Sequence, residues 1–291
     1  MITRFLSSRT EAKELAMKDL RNKAVLITGV ASGIGKSTAV EFARAGANPL
    51  ILCDINEKGL EETAEIAGRT GCRVLTFTVD VSEYEQVKNM VDQSGRIDVL
   101  VNVAGIGMLA PIELMELSDW ERVIGVNLWG VINTVHAVYP QMVKRRSGHI
   151  VNVSSSDGLF VGWIYGNAYF PSKFGVVGLS ELLLNEGALN GIGVTCFCPG
   201  AVRTPIFENS VLKGFRRDIL EVLDKDLAHA DTPEYIAEKI VEAVKRNKYL
   251  VLTTRQYQVD YFIRRHFPCF FFPYNKLKMR FLARMVSKYK S

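Results

Sequence analysis

Between Lys23 and about Leu252, short apolar runs rich in β-branched residues alternate with longer stretches in which apolar residues recur at helical spacing. The runs AVLIT (24–28), PLILCD (49–54), RVLTFTVD (73–80), IDVLVNV (97–103), HIVNVS (149–154), GVTCFC (193–198) and YLVLTT (249–254) predict strands. Helices are predicted near 34–45, 57–69, 82–93, 118–146, 168–189 and 233–247. Strands that are apolar throughout, rather than alternating, belong to a sheet covered on both faces, which means a parallel sheet. Strand–helix alternation at this spacing implies right-handed βαβ units and a doubly wound α/β fold. The expected architecture is a seven-stranded, mostly parallel sheet with helices on both faces. No internal repeat and no Pro/Gly/Ser linker divides residues 22–255, so they read as one domain. An N-terminal extension, 1–21, is expected to be helical, and a C-terminal tail, 256–291, follows the domain.

Charge changes this picture in one place. The 291 residues carry a formal net charge of +5, but Tyr261 to Ser291 hold eight Lys/Arg and no Asp or Glu. The rest of the chain is therefore slightly acidic, with 28 basic against 31 acidic side chains. That weighs against nucleic acid as a partner, since no binding motif accompanies the basic segment. The five cysteines, Cys53, Cys72, Cys196, Cys198 and Cys269, are odd in number and scattered, as expected of reduced thiols in a cytoplasmic chain. The first twenty residues lack the apolar core of a secretory signal, and no run reaches the ~20 apolar residues of a membrane-spanning helix. The four histidines are dispersed and no metal-ligand spacing is present, so no metal is expected.

The first predicted strand runs into Thr28-Gly29-Val30-Ala31-Ser32-Gly33-Ile34-Gly35, and an Ala-rich helix follows. Glycines at such a turn permit a tight bend and close backbone approach to a pyrophosphate, which then sits at a helix N-terminus where free N–H groups favour anions. Strand before and helix after give the motif its required context, that of a Rossmann dinucleotide site. Asp54 ends the second strand, nineteen residues past Gly35. A carboxylate there accepts hydrogen bonds from the ribose hydroxyls and repels a 2′-phosphate, which favours NAD over NADP.

Together with Asn102-Val103-Ala104-Gly105, Asn127, the serines at 154–156, Tyr169-x-x-x-Lys173 and Pro199-Gly200, this turn resembles the single-domain branch of the short-chain dehydrogenase/reductase family over about residues 20–254. The resemblance implies that Lys173 binds the nicotinamide ribose hydroxyls and that Asn127 holds a water linking Lys173 to solvent. It implies that Asp80, with Val81 beside it, contacts adenine, and that Asn102, Ala104 and Gly105 support the central strands. Val103 stands where a second asparagine is commoner. The loop Pro199, Gly200, Val202 and Thr204 is implied to meet the nicotinamide carboxamide. Ser32 occupies the place where NADP-dependent members often carry a basic residue, so its neutrality agrees with Asp54; Lys36 is the nearby cation that points the other way.

The chemistry also follows from the residues. Tyr169 and Lys173 are four apart at a helix start and share one face. A phenol titrates near ~10 and needs a neighbouring cation to serve as a base at neutral pH. Tyr169 would then remove the proton of an alcohol as hydride leaves, or donate it in reduction. Strand alignment selects Ser155 to hydrogen-bond the reacting oxygen; counting back from Tyr169 by the family's usual spacing selects Ser156 instead. Apolar residues in the segments 108–114, 159–165 and 205–227 are expected to line the substrate side and favour a hydrophobic secondary alcohol or ketone. A dimer or tetramer paired through the long helices near 118–146 and 168–189 is expected by resemblance. Alternatives are an NADPH-dependent 3-oxoacyl-thioester reductase and a non-catalytic nucleotide-binding scaffold. For the tail two readings stand side by side: an interfacial membrane segment, and a helix-and-aromatic arm folded over a subunit or the substrate mouth.

Overall fold

A computed structural model describes residues 15–206, 210–220 and 230–290. The expected N-terminal helix falls mostly outside these residues, and 15–20 carry no regular element. In chain order the first half comprises β1 (Val25–Thr28), α1 (Gly33–Arg44), β2 (Leu50–Asp54), α2 (Glu57–Gly68), β3 (Val74–Thr78), α3 (Tyr84–Ser94), β4 (Val99–Asn102) and the two-residue β5 (Met108–Leu109). There follow α4 (Leu117–Ile124), a π-helical turn at Gly125–Trp129, α5 (Gly130–Arg145), β6 (Gly148–Val153), α6 (Tyr169–Asn190) and β7 (Ile192–Cys198). The two-residue β8 (Val211–Leu212), α7 (Pro233–Arg246), β9 (Leu250–Leu252), α8 (Arg255–His266) and α9 (Pro268–Val286) complete the described chain.

Seven strands form one parallel sheet in the order β3-β2-β1-β4-β6-β7-β9. The strand order reverses between β1 and β4, the crevice where doubly wound sheets bind ligands. Strands β1, β4, β6 and β7 are buried along their whole length, as their unbroken apolar character requires, whereas the edge strand β3 is partly exposed. One apolar layer, including Phe42, Leu52, Phe197 and Ile240, fills the side of α1 and α7. A second, including Leu26, Val138, Ile150 and Val176, fills the side of α3, α5 and α6. β5 and β8 pair with each other outside the main sheet and bring the segments 108–109 and 211–212 together above its C-terminal edge.

Local chemistry fixes several boundaries. The Asn56 side chain accepts the Gly59 N–H at the start of α2, and Thr232 accepts that of Tyr235 ahead of Pro233 at the start of α7. Glu116 and Asp119 form a reciprocal capping box on α4. The long helix expected at 118–146 is interrupted by the π-turn, a one-residue excess that apolar periodicity does not register. The tail is helical throughout α8 and most of α9, and it lies against the body. Asn275 donates to the Val161 carbonyl (3.1 Å), Phe271 meets Phe160 edge-on with ring centroids 6.0 Å apart, and the Arg216 N–H donates to the Tyr289 carbonyl (2.9 Å).

Candidate active site

The crevice between β1 and β4 begins at the glycine turn. Gly29 has φ +73°, and a Cβ there would lie 2.6 Å from the Ala104 backbone. A Cβ on Gly35 would run into the Gly29 carbonyl, so α1 can approach β1 only through glycine. Gly33, at φ +51°, faces the Thr204 side chain. Ser32 precedes α1 without capping it by its side chain, and Ser32, Ile34 and Gly35 line a cavity of about 650 Å³. Thr28 Oγ1 accepts the N–H groups of Val103 and Ala104 (both 3.1 Å), which ties the loop after β4 to the end of β1; only the backbone of Val103 is used.

Asp54 and Asp80 face the far end of the same cavity, with Val81. Asp54 is held by the turn itself: one carboxylate oxygen accepts the Ala31 N–H and the other the Asn56 N–H, both at 2.9 Å. Asp80 accepts from the N–H (2.9 Å) and hydroxyl (2.6 Å) of Ser82, while Asn133 holds the Val81 and Ser82 carbonyls from below. Lys36 is drawn to Glu62, 3.5 Å away. Asn102 does not reach the cavity; it donates to Asn152 Oδ1 (2.9 Å) and accepts from Thr134 (2.7 Å), pinning β4 to β6 and α5.

A second cavity, about 250 Å³, shares Ile34, Gly105, Thr204 and Ile206 with the first, so the two form one tract. Ser155, Tyr169 and Lys173 meet here, beside Pro199, Gly200 and Val202. Each serine after β6 has a distinct task. All three line this cavity: Ser154 donates to the Lys173 carbonyl (2.8 Å), Ser156 gives its N–H to the Pro199 carbonyl (2.8 Å), and Ser155 is the one that acts on the Tyr169 phenol. Ser155 also accepts the Asp157 N–H (3.1 Å).

Lys173 is buried, donates to the Val153 carbonyl (3.0 Å) and stands 5.6 Å from the Tyr169 ring centroid. Burial lowers its ammonium to about 8. Burial pushes the Tyr169 phenol upward, the nearby Asp157 carboxyl adds to the rise and the Ser155 hydrogen bond opposes it. The direction is contrary to the lowering expected from the lysine: desolvation is the largest influence on the phenol, and the Lys173 ammonium faces the ring and the Val153 carbonyl.

Asn127 occupies the π-turn, fully buried. It accepts the Ile106 N–H (2.8 Å) and donates to the Ile106 carbonyl (3.0 Å) and Ser172 hydroxyl (3.2 Å). A Cβ on Gly105 would lie 3.3 Å from Asn127 Oδ1 and 3.5 Å from Lys173 Nζ, so the two polar groups converge on that glycine. The extra residue of the π-turn aims Asn127 inward.

Two groups escaped the sequence reading. Asp157 lines the second cavity; burial raises its carboxyl to about 6, against lowering by the Gly162 N–H and the Lys278 cation. Its only sequence signal is its place two residues past Ser155. Tyr257, from α8, closes the cavity next to Gly200, where a Cβ would strike its ring. The lining is otherwise apolar, with Met108, Leu109, Trp163, Phe170, Leu212 and Leu220 prominent. Phe207 and residues 221–227 lie outside the described residues.

The chain matches the short chain dehydrogenase family over residues 23–213. It is 38% identical over 230 residues, 76% of this chain and 90% of the relative, to the 3-oxoacyl-[acyl-carrier-protein] reductase FabG of Thermotoga maritima. Among solved structures it resembles a short-chain dehydrogenase/reductase from Burkholderia phymatum in complex with NAD, with TM-score 0.77 and 28% identity, covering 86% of this chain and 95% of the other. It also resembles a 3-oxoacyl-[acyl-carrier protein] reductase with bound NAD from Brucella melitensis, with TM-score 0.71 and 27% identity, covering 84% and 93% of the two chains.

Proposed function

The chain belongs to the short-chain dehydrogenase/reductase family, oxidoreductases acting on CH–OH groups with a nicotinamide cofactor, and on that premise we propose that it interconverts a hydrophobic secondary alcohol and its ketone, with NAD as the partner. The observation that carries this reading is the single tract in which the glycine turn and Asp54 lie at one end and Ser155, Tyr169 and Lys173 at the other. The residues fit the cofactor: Gly29 and Gly35 let β1, α1 and the loop after β4 close together at the mouth of the cavity, and the Asp54 carboxylate, which lines that cavity, would disfavour a 2′-phosphate.

A bound nicotinamide cofactor would supply the hydride acceptor. Its pyrophosphate would be held at the turn of Gly29, Gly33 and Gly35, its adenosine ribose by Asp54 and its adenine by Asp80 and Val81. The carboxamide would be held by Val202 and Thr204, on the loop shaped by Pro199 and Gly200. Lys173 would bind the second ribose and add its charge to the electrostatic field at Tyr169. Tyr169 receives the alcohol proton, and Ser155 donates a hydrogen bond to the reacting oxygen as charge develops on it. Asn127, beside Lys173, belongs to the route that returns the proton to solvent. The cavity wall of Met108, Leu109, Trp163 and Leu212 excludes water and favours an apolar substrate over a sugar.

The test is a panel of secondary alcohols and ketones graded in hydrophobicity, followed at the NADH absorbance band. Turnover should rise with apolar bulk and be faster with NAD than with NADP. The 38%-identical relative's name supports a second reading, reduction of a 3-oxoacyl thioester; faster turnover of such a thioester, with NADPH as the donor, would select it instead.

A further inference from the structure

The outer face of α9 has no partner among the described residues. Phe270, Tyr274, Leu277 and Phe281 recur at i, i+4, i+7 and i+11, one stripe of an α-helix, and are 72%, 58%, 67% and 67% exposed. A second face is committed to the body, where Phe271 packs with Leu159 and Phe160, Val286 with Phe215 and Ile219, and Leu282 is buried. The stripe is thus held in a fixed orientation while remaining uncovered. Arg280 and Arg284, both exposed, rise along one flank of it. No acidic residue follows Asp260, so the whole segment presents only cations.

We propose that α9 lies flat on an anionic lipid bilayer, with Phe270, Tyr274, Leu277 and Phe281 inserted at the head-group boundary and the arginines on anionic head groups. An in-plane amphipathic helix with aromatic and leucine side chains on one face and cations at its margin has this behaviour in general. Charge decides between occupants. A second copy meeting this stripe about a twofold axis would set an all-cationic segment against itself, whereas an anionic surface complements it. The bound helix would separate the bilayer from the apolar cavity wall by about one helix diameter, roughly 10 Å. A lipid-soluble alcohol or ketone then has a short path to the site; that consequence rests on the function proposed above, whereas the docking does not.

The experiment is sedimentation of the full chain with vesicles of phosphatidylcholine alone or with about a third phosphatidylglycerol, without substrate or cofactor. Pelleting is expected only with the anionic vesicles and is expected to weaken with added salt. The combined variant Phe270→Ser, Tyr274→Ser, Leu277→Ser, Phe281→Ser should bind at least about tenfold more weakly while retaining its cooperative unfolding transition. Arg280→Gln and Arg284→Gln, which leave the stripe intact, should each weaken binding about fivefold. Equal pelleting with both vesicles, or with neither, overturns the proposal. So does a concentration-dependent dimer of the wild type that the serine variant abolishes, which would assign the stripe to a second copy.

Discussion

Tyr169 and Asp157 show how far burial governs the titration of this site. The phenol is pushed up by desolvation and by the neighbouring carboxyl, and the Ser155 hydrogen bond opposes the rise. Asp157 itself rises from an ordinary 3.8 to about 6 on folding. A carboxyl raised in the folded state favours folding fully below its unfolded value, and that contribution is lost as pH climbs from about 4 through 6. Asp157→Asn should therefore be more stable than the wild type at pH ~7.5 by about 2 to 3 kcal/mol and lose that advantage near pH ~4, read from urea midpoints at the two pH values. An equal gain at both would mean that the carboxylate is not penalised by burial. At the other end of the tract Asp54 ties down the turn, and in the function proposed it also takes the adenosine ribose. Asp54→Ala should weaken NAD binding about tenfold to a hundredfold and narrow the preference over NADP, measured by isothermal titration; unchanged selectivity would remove the residue from cofactor choice.

At the level of elements, the strands were legible because a doubly covered parallel sheet imposes unbroken apolar runs, and each of the seven lies within one or two residues of its expected bounds. The glycine turn was legible because the backbone contact of Gly35 with Gly29 tolerates no other residue. The π-turn was not, since a single surplus residue leaves the surrounding periodicity of 118–146 intact. The helical arm of α8 and α9 was one of two readings of the tail; Pro268 and Pro273 and a mixed aromatic and basic composition hid its helix bounds, and its inner contacts depend on loops distant in sequence. Asp157 was hidden for the same reason: its environment is assembled by Gly162 and by Lys278 of α9. Because α9 braces the loop at 159–165, Phe271→Ala should destabilise the protein by about 3 kcal/mol. A double-mutant cycle with Phe160→Ala should return a coupling of about 1 kcal/mol in chemical denaturation. Strict additivity would show that the two rings touch without supporting one another.

Over the whole molecule the modest net charge resolves into two parts with different work. A slightly acidic body carries the sheet and the tract, and a cationic helical arm closes the tract's apolar end through Tyr257 and packs on the body through Phe271 while keeping its outer stripe bare. The tract joins the cavity at the glycine turn to the cavity at Ser155, Tyr169 and Lys173 through Ile34, Gly105 and Thr204, so in the function proposed binding and chemistry can be separated by one atom. Tyr169→Phe removes only the phenolic oxygen and leaves the cavity at the glycine turn untouched. It should lower turnover of the best alcohol by about a thousandfold, within the range for loss of a general acid–base group, while NADH binding, read by fluorescence titration, stays within about threefold of the wild type, as expected when a group acts only in the transition state. Turnover at the wild-type rate, with NADH bound equally well, would contradict the assignment of Tyr169 as the proton-transferring group and with it the mechanism proposed for this site.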